Sequence, residues 1–242
     1  MKKAVKILQI ILAVLLAAGG VFAFRQRGNI ASLITSAKLD NMQIAERING
    51  KKSETERMIK QYAGDSIRDF THEEEEQIRR GEVTPAELIA EILGESPFKE
   101  KLNFTPDAVN SVASSVSARE PTPDLSTVVN AHIAGLYVLK AHYIGKLGEL
   151  ERRALGDYKA LPKENRGTAG RQQLLSAYLG EAAALERECD GEVERTLDSL
   201  RSDLRGADGG TELIKTIRKA YEEEKILKKS YYLNSYEEMM KR

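Results

Sequence analysis

Residues Leu125–Leu161 read LSTVVNAHIAGLYVLKAHYIGKLGELERRALGDYKAL. Their apolar positions Leu125, Val129, His132, Leu136, Leu139, Tyr143, Leu147, Leu150, Ala154, Tyr158 and Leu161 recur at steps of three and four. That spacing keeps one stripe on one face of a helix, and forty residues of it would extend about 60 Å. Gly135, Gly145, Gly148 and Gly156 lie inside the run, and each weakens the case for an unbroken helix.

Two further stripes follow. Pro162-Lys-Glu-Asn-Arg-Gly167 is a polar turn, after which Leu174, Tyr178, Ala182, Leu185, Cys189, Val193, Thr196, Leu200 and Leu204 repeat the pattern. Gly206-Ala-Asp-Gly-Gly210 interrupts it, and Leu213, Ile217, Ala220, Glu224, Leu227 and Tyr231 form the third. Short turns make long helices antiparallel neighbours. The expectation is an all-α protein whose residues 121–242 form an elongated, antiparallel, coiled-coil-like three-helix bundle. The third stripe is the shortest, so one end of the first hairpin should lack a cover.

Upstream, residues 25–120 read as a membrane-proximal helix followed by short helices. Ile30, Ile34, Ala37, Asn41, Ile44 and Ile48 keep a heptad spacing, with Asn49-Gly50 as a stop. This is either a self-association seam, in which Asn41 sets register and partner number, or an amphipathic helix folded back on its own chain. Helix starts follow. Ser53-Glu-Thr-Glu56 and Thr71-His-Glu-Glu74 have the form of capping boxes, the second with Gly81 as stop. Thr84-Pro-Ala-Glu87 adds Pro at the first turn, and Thr105-Pro-Asp107 and Thr122-Pro-Asp124 repeat that opening. Glu73–Glu76 reads as a solvated face. Residues 51–120 carry a modest apolar load and would either pack on the C-terminal helices or serve as a stalk.

Residues 1–24 differ from all of this. Lys2, Lys3 and Lys6 precede Ile7–Phe24, eighteen residues with no charge and one polar side chain, Gln9. As a helix these extend about 27 Å, close to the thickness of a bilayer's hydrocarbon core. Two readings fit: an uncleaved anchor, or a signal peptide cleaved after Ala23 in Val21-Phe22-Ala23. Arg25 and Arg27 follow at once and favour the anchor. The slight excess of positive charge on the amino-terminal side places the body outside the cytoplasm, at the cell membrane or, if cleaved, secreted.

Composition narrows function by exclusion. The chain of 242 residues has 37 basic and 37 acidic side chains, with 20 of each from Pro123 onward, so no basic stripe marks a nucleic-acid surface. Its three histidines and single cysteine, Cys189, form no metal-ligand spacing, and no Glu-x-x-His, His-Glu-x-x-His, Walker or nucleophile-elbow pattern occurs. No catalytic residue, cofactor or metal is implied. The remaining reading is a membrane-attached interaction or assembly scaffold using Ile34, Asn41 and Ile48, the uncovered hairpin end, and the aromatic group Tyr231, Tyr232 and Tyr236. An exported ligand-binding module, with a groove near His132 and Tyr143, is the alternative.

Overall fold

In the computed structural model the described residues are 27–63, 67–93, 124–162, 164, 168–205 and 210–241. Their regular structure is helical, with no strand among them. The helices are α1 (Arg27–Lys38), α2 (Asn41–Ala63), α3 (His72–Arg80), α4 (Pro85–Leu93), α5 (Leu125–Ala160), α6 (Thr168–Asp203) and α7 (Gly210–Lys241). The chain divides into two compact units, residues 52–218 and residues 1–51 with 219–242.

The larger unit is organised on α5. From Val129 to Leu150 this helix is buried on nearly every side, by Val129, Ile133, Val138, Leu139, Ile144 and Leu150 among others. Each such side chain contributes about 1.5–3 kcal/mol on leaving water. That driving force keeps the helix unbroken through Gly135, Gly145 and Gly148, the last two of which are themselves docking surfaces. A Cβ on Gly148 would overlap the Arg79 carbonyl group, standing 2.8 Å from its carbon, and one on Gly145 would press on Pro85 at 3.2 Å. The absent side chains let the end of α3 and the start of α4 settle on α5.

The signals around α3 and α4 act as the sequence indicates. Thr71 and Glu74 cap each other's backbone N–H groups, and Gly81 ends α3 at φ 74°. The Gly81 and Glu82 N–H groups donate to the Ile78 and Gln77 carbonyls, closing a Schellman turn. Arg152 of α5 adds a charged cap, its Nη1 donating to the Arg79 carbonyl at 2.7 Å. Thr84 and Glu87 cap α4 in the same reciprocal way.

Two local expectations give way. Asn49-Gly50 does not stop a helix and Ser53 does not start one, since α2 runs unbroken from Asn41 to Ala63. The seam breaks earlier, at Leu39–Asp40, because Asp40 and Gln43 form a capping box: Gln43 N–H donates to Asp40 Oδ1 at 2.8 Å, and Asp40 N–H to Gln43 Oε1 at 3.2 Å. Carrying Gly50 in mid-helix costs only about 1 kcal/mol, too little by itself to end α2. The four-glutamate run is also not a solvated face. Glu75 and Glu76 are buried, at 3% and 7% exposure.

Glu75 belongs to a desolvated cluster of charges. Lys140 of α5 donates to both Asp69 carboxylate oxygens, at 2.7 and 2.8 Å, and pairs with Glu75 Oε1 at 2.9 Å. Lys52, buried in α2, donates to the same Glu75 oxygen at 2.8 Å and to the Phe70 carbonyl at 2.6 Å. Glu56 receives the Asp69 N–H at 2.8 Å. Two ammonium groups therefore neutralise two carboxylates where α2, the segment before α3, α3 itself and α5 meet. Phe70 is 1% exposed and packs edge-on against Tyr137 beside them. Residues 67–93 are thus fastened to α5, and the described part of the region is no stalk.

In the smaller unit α1 and the first part of α2 lie alongside the second part of α7. Ser230 Oγ donates to the Ser32 carbonyl at 2.9 Å, Asn234 Nδ2 to the Leu39 carbonyl at 2.8 Å, and Lys51 pairs with Glu223 at 3.0 Å. Ile44 and Ile48 are fully buried.

Among the described residues no helix is long and apolar enough to cross a membrane. Ile7–Phe24 lies outside them, as do Thr105–Asp107 and Thr122.

Substitution tests follow from these contacts. Gly148→Ala should lower stability by about 1–3 kcal/mol through overpacking. Gly50→Ala, with open space around the added carbon, should raise it by about 0.5–1 kcal/mol. Both are read from denaturant midpoints. Lys140→Met leaves two buried carboxylates short of a cation and should destabilise by about 3–5 kcal/mol. A loss below about 1 kcal/mol, the value of a solvated ion pair, would mean that water reaches the cluster.

Candidate functional site: the open half of the hairpin

Cross-helix partners define the register of α5 against α6. His132 Nε2 lies 2.8 Å from Asp203 Oδ2, Lys146 pairs with Glu188 at 3.3 Å, Arg153 with Glu181 at 2.7 Å, and the Tyr178 hydroxyl donates to Asp157. Seven residues forward from Lys146 to Arg153 match seven back from Glu188 to Glu181, as an antiparallel pair of straight helices requires.

Packing along this hairpin changes abruptly. In α6 Val193, Thr196, Leu197 and Leu200 are buried, as is Leu204 just after it, and on α7 Leu213, Ile214 and Ile217 are buried with them. Arg218 clamps Glu194 through two bonds, at 2.8 and 2.6 Å. Toward the turn this stops. Between Glu151 and Glu192 no described side chain is buried, although the apolar stripe continues through Ala154, Tyr158, Leu161, Leu174, Tyr178, Ala182 and Leu185. Leu179 is 56% exposed. The uncovered end expected from the sequence is present among the described residues, and α7 is the shorter helix, with 32 residues against 36 in α5 and α6.

The border between the packed and open halves is marked by groups that have lost water without gaining bonds. Tyr143 is 8% exposed, and its hydroxyl and Glu192 Oε2 are buried without a hydrogen-bond partner. Burial pushes the Tyr143 phenol up, helped by the charges of Glu192 and Glu188. Burial likewise raises the Glu192 carboxyl, against the pull of Tyr143 and Arg195. Neighbouring His142 is held below the usual imidazole range by burial and by Lys146. Cys189 is half-buried on the same stretch of α6.

The other residues singled out from sequence are distributed as follows. Ile48 is in the core of the smaller unit, beside Ile44, and Asn41 begins α2 at intermediate burial. Tyr231 and Tyr232 are half-buried in the same unit and meet edge to face, with ring centroids 5.8 Å apart. The side chains of Ile34 and Tyr236 lie outside those described. Of the three surfaces that the sequence suggests, the open hairpin half is the one with an apolar stripe and no buried member. His132, 2% exposed, is a core residue bonded to Asp203. Among the described residues no group of three or more His, Cys, Asp or Glu is placed to hold a metal ion.

Comparison with protein-family models, with curated proteins and with solved structures finds no match.

Glu192 gives a pH test. Its carboxyl is raised above the ordinary value of 4.5, so the folded state holds its proton longer than the unfolded chain does. Stability from this group is full below that value and is lost as pH rises through the raised one. Glu192→Gln, which mimics the protonated form, should be more stable than the parent at pH 7. The gain should vanish on acidification, as read from paired thermal melts across pH 4–8.

Proposed function

We propose that this protein is a non-enzymatic, membrane-anchored, extracytoplasmic scaffold whose α5–α6 hairpin binds another polypeptide through its open half. The observation that carries the reading is the discontinuity at Leu150 and Val193. The same apolar periodicity runs on both sides of it, yet side chains are buried on one side only. An apolar stripe repeated over many turns and left half-exposed is the form of a helix-pairing surface. The balanced surface charge and the lack of any catalytic spacing in the sequence favour binding over chemistry. Ile7–Phe24 supplies the attachment, and the lysines before it orient the body outward.

The rigid half of the hairpin, fastened by α3, α4 and the Lys140 cluster, would hold the open half ready for a partner. Little ordering entropy then remains to oppose association.

A photo-crosslinking residue in place of Leu179, in the full-length chain in intact cells, should trap a polypeptide in the membrane fraction. The same residue at Arg201, exposed on the packed half, should not. Equal labelling at the two positions, or none at Leu179, would sink the proposal.

A further inference from the structure

The partner of the open half is, we propose, a second copy of this chain, docked antiparallel about a two-fold axis near the Arg153–Glu181 pair; this rests on the reading of that half as a binding surface. Three observations carry it.

The first is charge order along the hairpin. Residues 152–160, the end of α5 nearest the turn, hold three basic side chains and one acidic. Residues 181–192, the α6 stretch farthest from it within the open half, hold five acidic and one basic. In one copy the two stretches are displaced along the hairpin. A two-fold axis at the centre of the open half exchanges these levels, bringing the basic stretch of each copy beside the acidic stretch of the other. Across the whole open half, residues 151–192, charges number seven basic and eight acidic, so no net repulsion opposes pairing. The pairs already present, such as Arg153 with Glu181 at 59% and 49% exposure, are solvated and free to rearrange.

The second is geometry. Full overlap of two open halves makes an antiparallel four-helix arrangement, in which a two-helix seam becomes a closed core. The third is size. The open half is about 30 Å long and about 20 Å wide, which gives about 600 Å² per copy and about 1,200 Å² in total. That is the lower bound for a specific interface, and a shared membrane would raise the effective concentration further.

This register has a sharp consequence for one cysteine pair. Cys189 lies about seven residues to one side of the axis and Ala160, exposed on α5, about seven to the other. Within a copy they are about 20 Å apart along the hairpin, beyond disulfide reach; across the axis they share a level. In full-length protein in detergent, under mild oxidation, Ala160→Cys should give a disulfide dimer joining Cys189 of one copy to the new cysteine of the other. The parent chain should not, and neither should Ala160→Cys combined with Cys189→Ser. Sedimentation should show a dimer of the parent, weakened at least tenfold by Leu179→Glu, a change at an exposed site that leaves the core intact.

A parent that sediments as a monomer at 100 μM, with no 160–189 crosslink, overturns the inference. If the probe at Leu179 still traps a different protein, the scaffold reading stands and self-pairing falls. If it traps nothing, both fall. A dimer whose disulfide forms only between identical positions would place the axis elsewhere and also overturn the proposed register.

Discussion

The larger unit depends on one ammonium group placed where water cannot reach it freely. Lys140 sits on the central helix and holds both oxygens of Asp69 while sharing Glu75 with Lys52. Removing charges from water costs several kcal/mol each, so the cluster is tolerable only with every partner present. That requirement makes it a device of arrangement more than of raw stability. It brings α2, α3 and the segment before α3 onto α5 together or not at all.

The glycines complete what the cluster begins. Gly148 lets a backbone carbonyl come where a methyl group would stand, and Arg152, one turn further on, caps the helix end that arrives there. Packing and capping thus occupy adjacent turns of α5, and both end by Arg152. Among the described residues, no further helix buries the apolar stripe beyond that point. Two helices leave more of a wide stripe in water than three or four do. The open half follows from where the supporting elements stop.

The same residues also separate a packed half of the hairpin from an open one. The packed half has a continuous core from Val129 to Leu150 and from Val193 to Leu204, closed by Leu213, Ile214 and Ile217. The open half carries exposed ion pairs and half-buried aromatics, Tyr158 and Tyr178, with Arg153 over the Tyr178 ring. Each such contact is worth little in water. The Tyr143 hydroxyl and Glu192 Oε2, buried without a hydrogen-bond partner, mark the border.

Local order was legible in the residues themselves. The three- and four-residue steps from Leu125 to Leu161 and from Leu174 to Leu204 specify long helices, because only one helical face can be apolar at that period. Thr71, Gly81, Thr84 and Pro85 specify the ends of α3 and α4, because capping is chemistry between near neighbours. Asp40 and Gln43 carried the same signal, and it was hidden by the stronger pattern of isoleucines around it. What tertiary structure alone decided concerns residues far apart in the chain. Nothing near Glu75 announces Lys52 or Lys140, so four consecutive glutamates looked solvated until α2 and α5 were in place. Nothing near Gly148 announces Arg79, so a residue that weakens an isolated helix proved to be a landing site. The assignment of Lys219 and its successors to the smaller unit likewise rests on distant partners, Lys51, Leu39 and Ser32. Capping and periodicity act over one or two turns and are written in consecutive residues; desolvation and close approach depend on what arrives from elsewhere, and those terms leave half of the hairpin open.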